Sequence, residues 1–186
     1  MGRFYWFLLF IAAAIATHAA YVLYYPGYNF DSKLEATVGV ESRNRMILLT
    51  PAQVGKLFPA YATSDIVAMC RYELSQGPMQ LSAKLPRGYW TFSIFTVKGR
   101  QVYSLTDAQA GESNFTVDLL QAPDLIAQLK GALDEGGDAE AINEVGWKVE
   151  TPDSRGIAVI WVPVADPIFR SATLNAVRNS KCERKS

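Results

Sequence analysis

The sequence predicts an α+β protein in which one N-terminal transmembrane helix precedes a mainly antiparallel β domain, two-layered and sandwich-like, with two or three flanking helices. Three observations carry that expectation. Residues 4–25 contain no formal charge, and their number matches the ~20 residues that a helix rising ~1.5 Å per residue needs to cross a ~30 Å hydrocarbon layer. Residues 65–107 then show repeated apolar and polar alternation rich in aromatic and β-branched side chains, the mark of half-buried strands. Helical periodicity returns only in short pieces, at 51–58, 123–133 and 167–179.

A cleaved secretory signal is the rival account of the first segment, with Arg3 as its basic region and Thr17-His18-Ala19 as a cleavage site. Tyr21, Val22, Leu23, Tyr24 and Tyr25 extend the apolar stretch past a usual signal core, and Tyr5, Trp6 and the distal tyrosines suit two membrane interfaces. A retained anchor is therefore expected, with the lipid bilayer as partner of residues 4–25. Arg3 and the terminal amine favour an N-terminus on the cytoplasmic side, although Lys33, Arg43 and Arg45 reduce the charge asymmetry. The division that follows is an anchor at 1–27, one exported α+β domain at 28–182 and a basic tail at 183–186. Pro26-Gly27 is expected to break the helix and residues 28–32 to form an exit linker.

Composition removes several kinds of chemistry. Lys plus Arg and Asp plus Glu are equal at 18 each, so no overall field attracts nucleic acid, and none is expected as a partner. Charge is nevertheless uneven. Asp134, Glu135, Asp138, Glu140, Glu144 and Glu150 face only Lys148, whereas Arg170, Arg178, Lys181, Arg184 and Lys185 follow near the end; both read as solvated surface. Residues 134–140 lack the ligand spacing of a calcium loop, and no phosphate loop or dinucleotide fingerprint is present, so neither metal nor cofactor is expected. His18 is the only histidine. It lies in the anchor without an acidic or basic neighbour there, and it reads as a tolerated neutral imidazole. The exported part thus has no histidine for Ser-His-Asp, Cys-His or His-metal chemistry.

Along the chain, 33–40 reads as a strand start, 44–50 as a buried strand, and 51–58 as a short helix with Pro51 at its first position. Strands follow at 65–74 and, after Gly77-Pro78, at 79–85. Residues 89–97 and 101–106 form a hairpin around Lys98-Gly99-Arg100. On its first strand Trp90, Phe92 and Ile94 face one way and Tyr89, Thr91, Ser93 and Phe95 the other, so both faces have material to bury. After a strand at 115–120, residues 123–133 place Leu125, Ile126, Leu129 and Leu133 on one helical face, stopped by Gly136-Gly137. Residues 145–150 and 156–162 read as a second hairpin. Asp166 and Pro167 open a helix through about Asn179, with Phe169, Ala172, Thr173, Ala176 and Val177 inward and Arg178 and Lys181 near its negative end.

Cys70 and Cys182 are the only cysteines. In an oxidising compartment the pair is expected to form a disulfide, which over more than 100 residues adds roughly 3 to 5 kcal/mol in the chain-entropy model. Two free thiols, with Cys70 simply buried, are the alternative; a nucleophilic Cys70 would lack a histidine base. Arg71, Tyr72, Trp90, Tyr103, Ser104 and Asp107 form a candidate ligand-binding set, with aromatic surface for stacking and a guanidinium for an anion. Core packing and turn capping account for the same residues. Glu73 and Asp107 are the carboxylates that would serve a membrane-tethered hydrolase or lyase, provided they lie within about 10 Å across one cleft.

A Cys-Arg-aromatic-acidic-Leu strand, a Gly-Pro turn, a Tyr-Trp strand and a Tyr-Ser-Leu-x-Asp ending succeed one another from Cys70-Arg71-Tyr72-Glu73-Leu74 to Tyr103-Ser104-Leu105-Thr106-Asp107. This succession resembles the bacterial envelope family called domain of unknown function 1254. Its short, membrane-anchored members look similar along most of their length, including a late Val-Pro-x-x-Asp-Pro segment, here Val162-Pro163-Val164-Ala165-Asp166-Pro167, and a cysteine in the place of Cys182. The resemblance implies a single-pass protein of the bacterial inner membrane with a periplasmic C-terminal domain. It supports the Cys70–Cys182 pairing and implies an envelope protein or polyanionic envelope component as partner. It carries no catalytic residues over.

Overall fold

The structure, a computed structural model, describes residues 2–39, 42–111, 113–123, 146–164 and 166–185, with backbone alone for 26–31. Helix α1 runs Gly2–Val38, and its segment Gly2–Tyr25 is long and apolar enough to cross a membrane, with every residue of the segment exposed. The helix does not stop at Pro26-Gly27, and residues 33–38 are helical rather than the start of a strand. A proline removes one hydrogen bond and costs a helix about 3 kcal/mol. Burial of Leu34, 2 % exposed, against the domain offsets that cost further along.

Among the described residues, nine strands make two sheets. The first has the order β1 (Ile47–Leu48), β2 (Ile66–Glu73), β8 (Arg155–Val162), β4 (Thr91–Thr96), β5 (Gln101–Thr106), all antiparallel. In the second, of order β7 (Trp147–Thr151), β6 (Asn114–Gln121), β3 (Met79–Lys84), β9 (Lys181–Arg184), only β6 and β7 are parallel. The expected α+β sandwich is thus observed. Residues 44–50 contribute only the two residues of β1, and Cys182 and the basic residues beside it are paired with β3. Of the tail set apart at 183–186, Glu183 and Arg184 are therefore strand residues, and Lys185 holds Asp118 at 2.8 Å.

Strand parity explains the layering. Ile66, Ala68, Cys70 and Tyr72 of β2 and Ala158, Ile160 and Val162 of β8 join Met79, Leu81, Val117 and Leu119 of the second sheet in one core. The alternate residues Val67, Met69, Ile157 and Val159 form a second core with Leu34, Leu49 and Val54, beneath the base of α1 and helix α2 (Pro51–Leu57). The central strands β2 and β8 are apolar on both faces because both faces are covered. That also corrects the expected hairpin of 145–150 with 156–162. β8, two-sided, takes the centre of the first sheet, whereas β7 alternates between buried Val149 and Thr151 and exposed Lys148 and Glu150, which suits an edge of the second.

Local signals set the helix ends. Thr50 and Gln53 form a reciprocal cap on α2, with Pro51 in the first turn as expected. Asp166 caps a 3-10 turn at Pro167–Phe169, and helix α4 (Arg170–Arg178) then packs Thr173 and Val177 inward. Phe169, expected on that inner face, is 66 % exposed, because the 3-10 turn rotates it away from the α-helical register. The helix expected at 123–133, its Gly136-Gly137 stop and the acidic stretch 134–140 lie outside the described residues.

Candidate functional site

At one end of the sandwich the chain between β3 and β4 faces the chain between β5 and β6. Leu85 and Trp90, each 1 % exposed, pin the first wall. The second begins with the four-residue helix α3 (Asp107–Ala110), capped reciprocally by Thr106 and Gln109 and ended by Gly111 at φ 68°. Two backbone hydrogen bonds tie the walls together: the Leu85 N–H donates to the Ser113 carbonyl at 2.7 Å, and the Asp107 N–H to the Trp90 carbonyl at 3.3 Å. Between them lies a cleft of about 460 Å³ lined by Pro86, Arg87, Gly88 and Trp90 on one side and Asp107, Gly111 and Ser113 on the other. Gly88, at φ 135°, occupies backbone space that side chains rarely adopt. Trp90 is fixed by stacking on Phe115, with ring centroids 5.1 Å apart. Neither Arg87 nor Asp107 forms an ion pair among the described residues.

The six residues singled out in sequence are divided among three places. Trp90 and Asp107 share the cleft. Arg71 and Tyr72 lie with Arg43, Glu73 and Arg155 around a void of only about 20 Å³ near the other end of β2. There Asn44, at φ 53°, accepts the Glu73 N–H through its side chain and donates its own N–H to the Arg71 carbonyl. Tyr72 is 1 % exposed, and its hydroxyl lies 3.1 Å from the Phe95 carbonyl and 3.3 Å from Thr151 Oγ1. Burial pushes its pKa up, the Thr151 hydrogen bond opposes the rise and the Asp153 charge adds to it. Tyr103 and Ser104 lie on the edge strand β5, where Ser104 meets Ser93 at 3.3 Å and burial raises the Tyr103 pKa.

Glu73 and Asp107 are not brought into one cleft. Glu73 pairs with Arg155 at the start of β8, whereas Asp107 follows Thr106, which is opposite Thr91, itself opposite Trp161 near the end of β8. Six residues of strand at ~3.3 Å each put about 20 Å between those levels, beyond the span of a carboxylate pair. Sequence reasoning missed Arg87, Gly88, Gly111 and Ser113; the Pro86-Arg87-Gly88 turn was the available signal. It also missed an aromatic stack beside the cleft: Phe58 on Tyr61 at 5.5 Å, Tyr61 on Trp161 at 5.0 Å, and Tyr89 edge-on to Trp161 at 5.8 Å. The Trp161 indole N–H donates to Asp65 at 2.8 Å, and burial first, then the Tyr89 charge, raises the Tyr61 pKa.

Among solved structures, the chain is similar to the VPA0106 protein from Vibrio parahaemolyticus, with a TM-score of 0.58 at 13% identity over 89% of this chain and 37% of that one. A protein from Burkholderia cenocepacia gives a TM-score of 0.42 at 11% identity, covering 67% of this chain and 33% of its own. The chain therefore spans only about a third of the length of either protein, and the first likeness shows a shared fold. No family model matches the sequence, and no curated protein does.

Proposed function

We propose that this chain is a single-pass protein of a bacterial inner membrane whose periplasmic β domain binds an envelope component in the cleft between residues 85–90 and the wall that contains Asp107, Gly111 and Ser113. The observation that carries this reading is the cleft itself: about 460 Å³, tied at two points, with an arginine and a carboxylate that pair with nothing else described. Its volume falls in the usual range for small-ligand sites. The Cys70–Cys182 disulfide supports an oxidising location, and the N-terminal apolar helix supports the tether. A short, membrane-anchored relationship to the domain of unknown function 1254 family belongs to the same proposal. The hydrolase or lyase alternative is disfavoured by the separation of Glu73 from Asp107.

The test is site-directed photo-crosslinking in intact membranes, with the photoreactive residue at Ser113 in the cleft and, as control, at Gln80 on the second sheet. A product specific to position 113 is expected, together with activity of a C-terminal reporter fusion only outside the cytoplasm. Equal labelling at both positions, or a reporter active only inside the cell, overturns the proposal.

A further inference from the structure

We infer that the cleft takes a dipolar ligand, a short peptide whose terminal ammonium meets Asp107 and whose terminal carboxylate meets Arg87. This deepens the binding role proposed for the same cleft and rests on it. The two side chains carry opposite charge and line one cavity, yet no ion pair of 4 Å or less joins them to each other or to another of the described residues. Opposite charges that share a cleft without closing on each other leave a gap that a molecule bearing both complementary charges can bridge. A simple anion would satisfy Arg87 and be repelled by Asp107; a simple cation would meet the reverse problem.

The walls fit the same reading. The Asp107 backbone is held in place by the Thr106 and Gln109 cap and by its N–H bond to the Trp90 carbonyl, so the position from which its carboxylate extends is fixed before a ligand arrives. Gly88 and Gly111 place backbone without side chains on the two sides, which lets an extended peptide main chain approach closely. Among the described residues, no atom beyond the chain neighbours lies within 4 Å of where a β-carbon would stand on either glycine. Arg87 is exposed on its loop and presents a planar fork suited to a carboxylate. Buried Trp90 supplies an apolar side to the cavity.

The experiment uses the full chain in detergent micelles and titrates glycine, diglycine and triglycine by calorimetry, with N-acetylated and C-amidated forms of the length that binds best. One length is expected to bind best, and blocking either terminus is expected to weaken binding by about tenfold or more, the scale of a charge-assisted hydrogen bond. In Asp107→Asn the penalty for acetylation should vanish, and in Arg87→Gln the penalty for amidation should vanish, with melting temperatures within about 2 °C of the parent. Blocked peptides binding as well as free ones, no binding of any of the three, or displacement by phosphoethanolamine at equal concentration would each overturn the assignment. Position-specific crosslinking at Ser113 alongside a null titration would sink the peptide ligand while leaving the cleft's binding role intact.

Discussion

Cys70 of β2 and Cys182 of β9 are joined by a disulfide, with Cα atoms 6.4 Å apart and a sequence separation of 112. The bond links the two sheets, because β2 belongs to one and β9 to the other. It also fastens an edge strand of four residues. Replacing both cysteines by serine should cost about 3 to 5 kcal/mol in urea unfolding, the chain-entropy value for a loop of this size. Unfolding midpoints that coincide with and without reductant would contradict the bond.

Gly156 of β8 has no room for a β-carbon, which would overlap the Tyr72 hydroxyl and the Phe95 carbonyl oxygen. Gly156→Ala should therefore destabilise the protein by at least about 3 kcal/mol, the upper end of overpacking costs. Tyr72→Phe should not rescue it, since the ring carbon and the Phe95 backbone both remain in the way. Chemical denaturation of the single and double variants distinguishes these outcomes, and full rescue would show that the hydroxyl alone sets the packing.

Stability should fall in alkali through Tyr72. Its folded-state pKa is raised, chiefly by burial, so the neutral form is favoured in the native state. The stabilisation is fully present below the unfolded value near 10 and is lost as pH rises through the higher folded value. Tyr72→Phe should flatten the decline above about pH 10 while lowering stability at neutral pH by roughly 1 kcal/mol for the lost hydrogen bonds. Thermal melts between pH 7 and 11 read both effects, and parallel curves would assign the decline elsewhere.

Leu34 joins α1 to the domain. Leu34→Ala should cost about 2 to 5 kcal/mol of domain stability if its pocket collapses as poorly as other buried leucine sites. Hydrogen exchange over residues 33–38 should accelerate in the variant. Unchanged exchange there would mean that the helix end is stable without its docking contact.

Strands and their facings were legible because alternation is a local signal: Trp90, Phe92 and Ile94 are buried, as their spacing implies. The two cysteines were legible because nothing else in the chain competes for them. What escaped was set by contacts distant in sequence. The helix passes Pro26 because Leu34 finds the outer face of the first sheet, and β8 leaves β7 because its second apolar face needs a cover that α1 and α2 provide. The candidate ligand set scattered because its members come from different strands: Arg71 and Tyr72 lie opposite the start of β8, whereas Trp90 and Asp107 flank the Thr91–Thr106 pair at the level of Trp161, near its end. Arg87 escaped because a charged residue in a turn reads as ordinary solvent-facing loop until the opposite wall is known.

Because α1 runs unbroken to Val38 and Leu34 is seated in the domain, the body is mounted on a stiff mast rather than a slack leash. The helix beyond Tyr25 measures about 20 Å at ~1.5 Å per residue. In a bilayer such a mount would restrict both the height and the tilt of the domain. Lengthening the mast by whole helical turns would then raise the domain by about 5.4 Å a turn while keeping the direction it faces nearly the same.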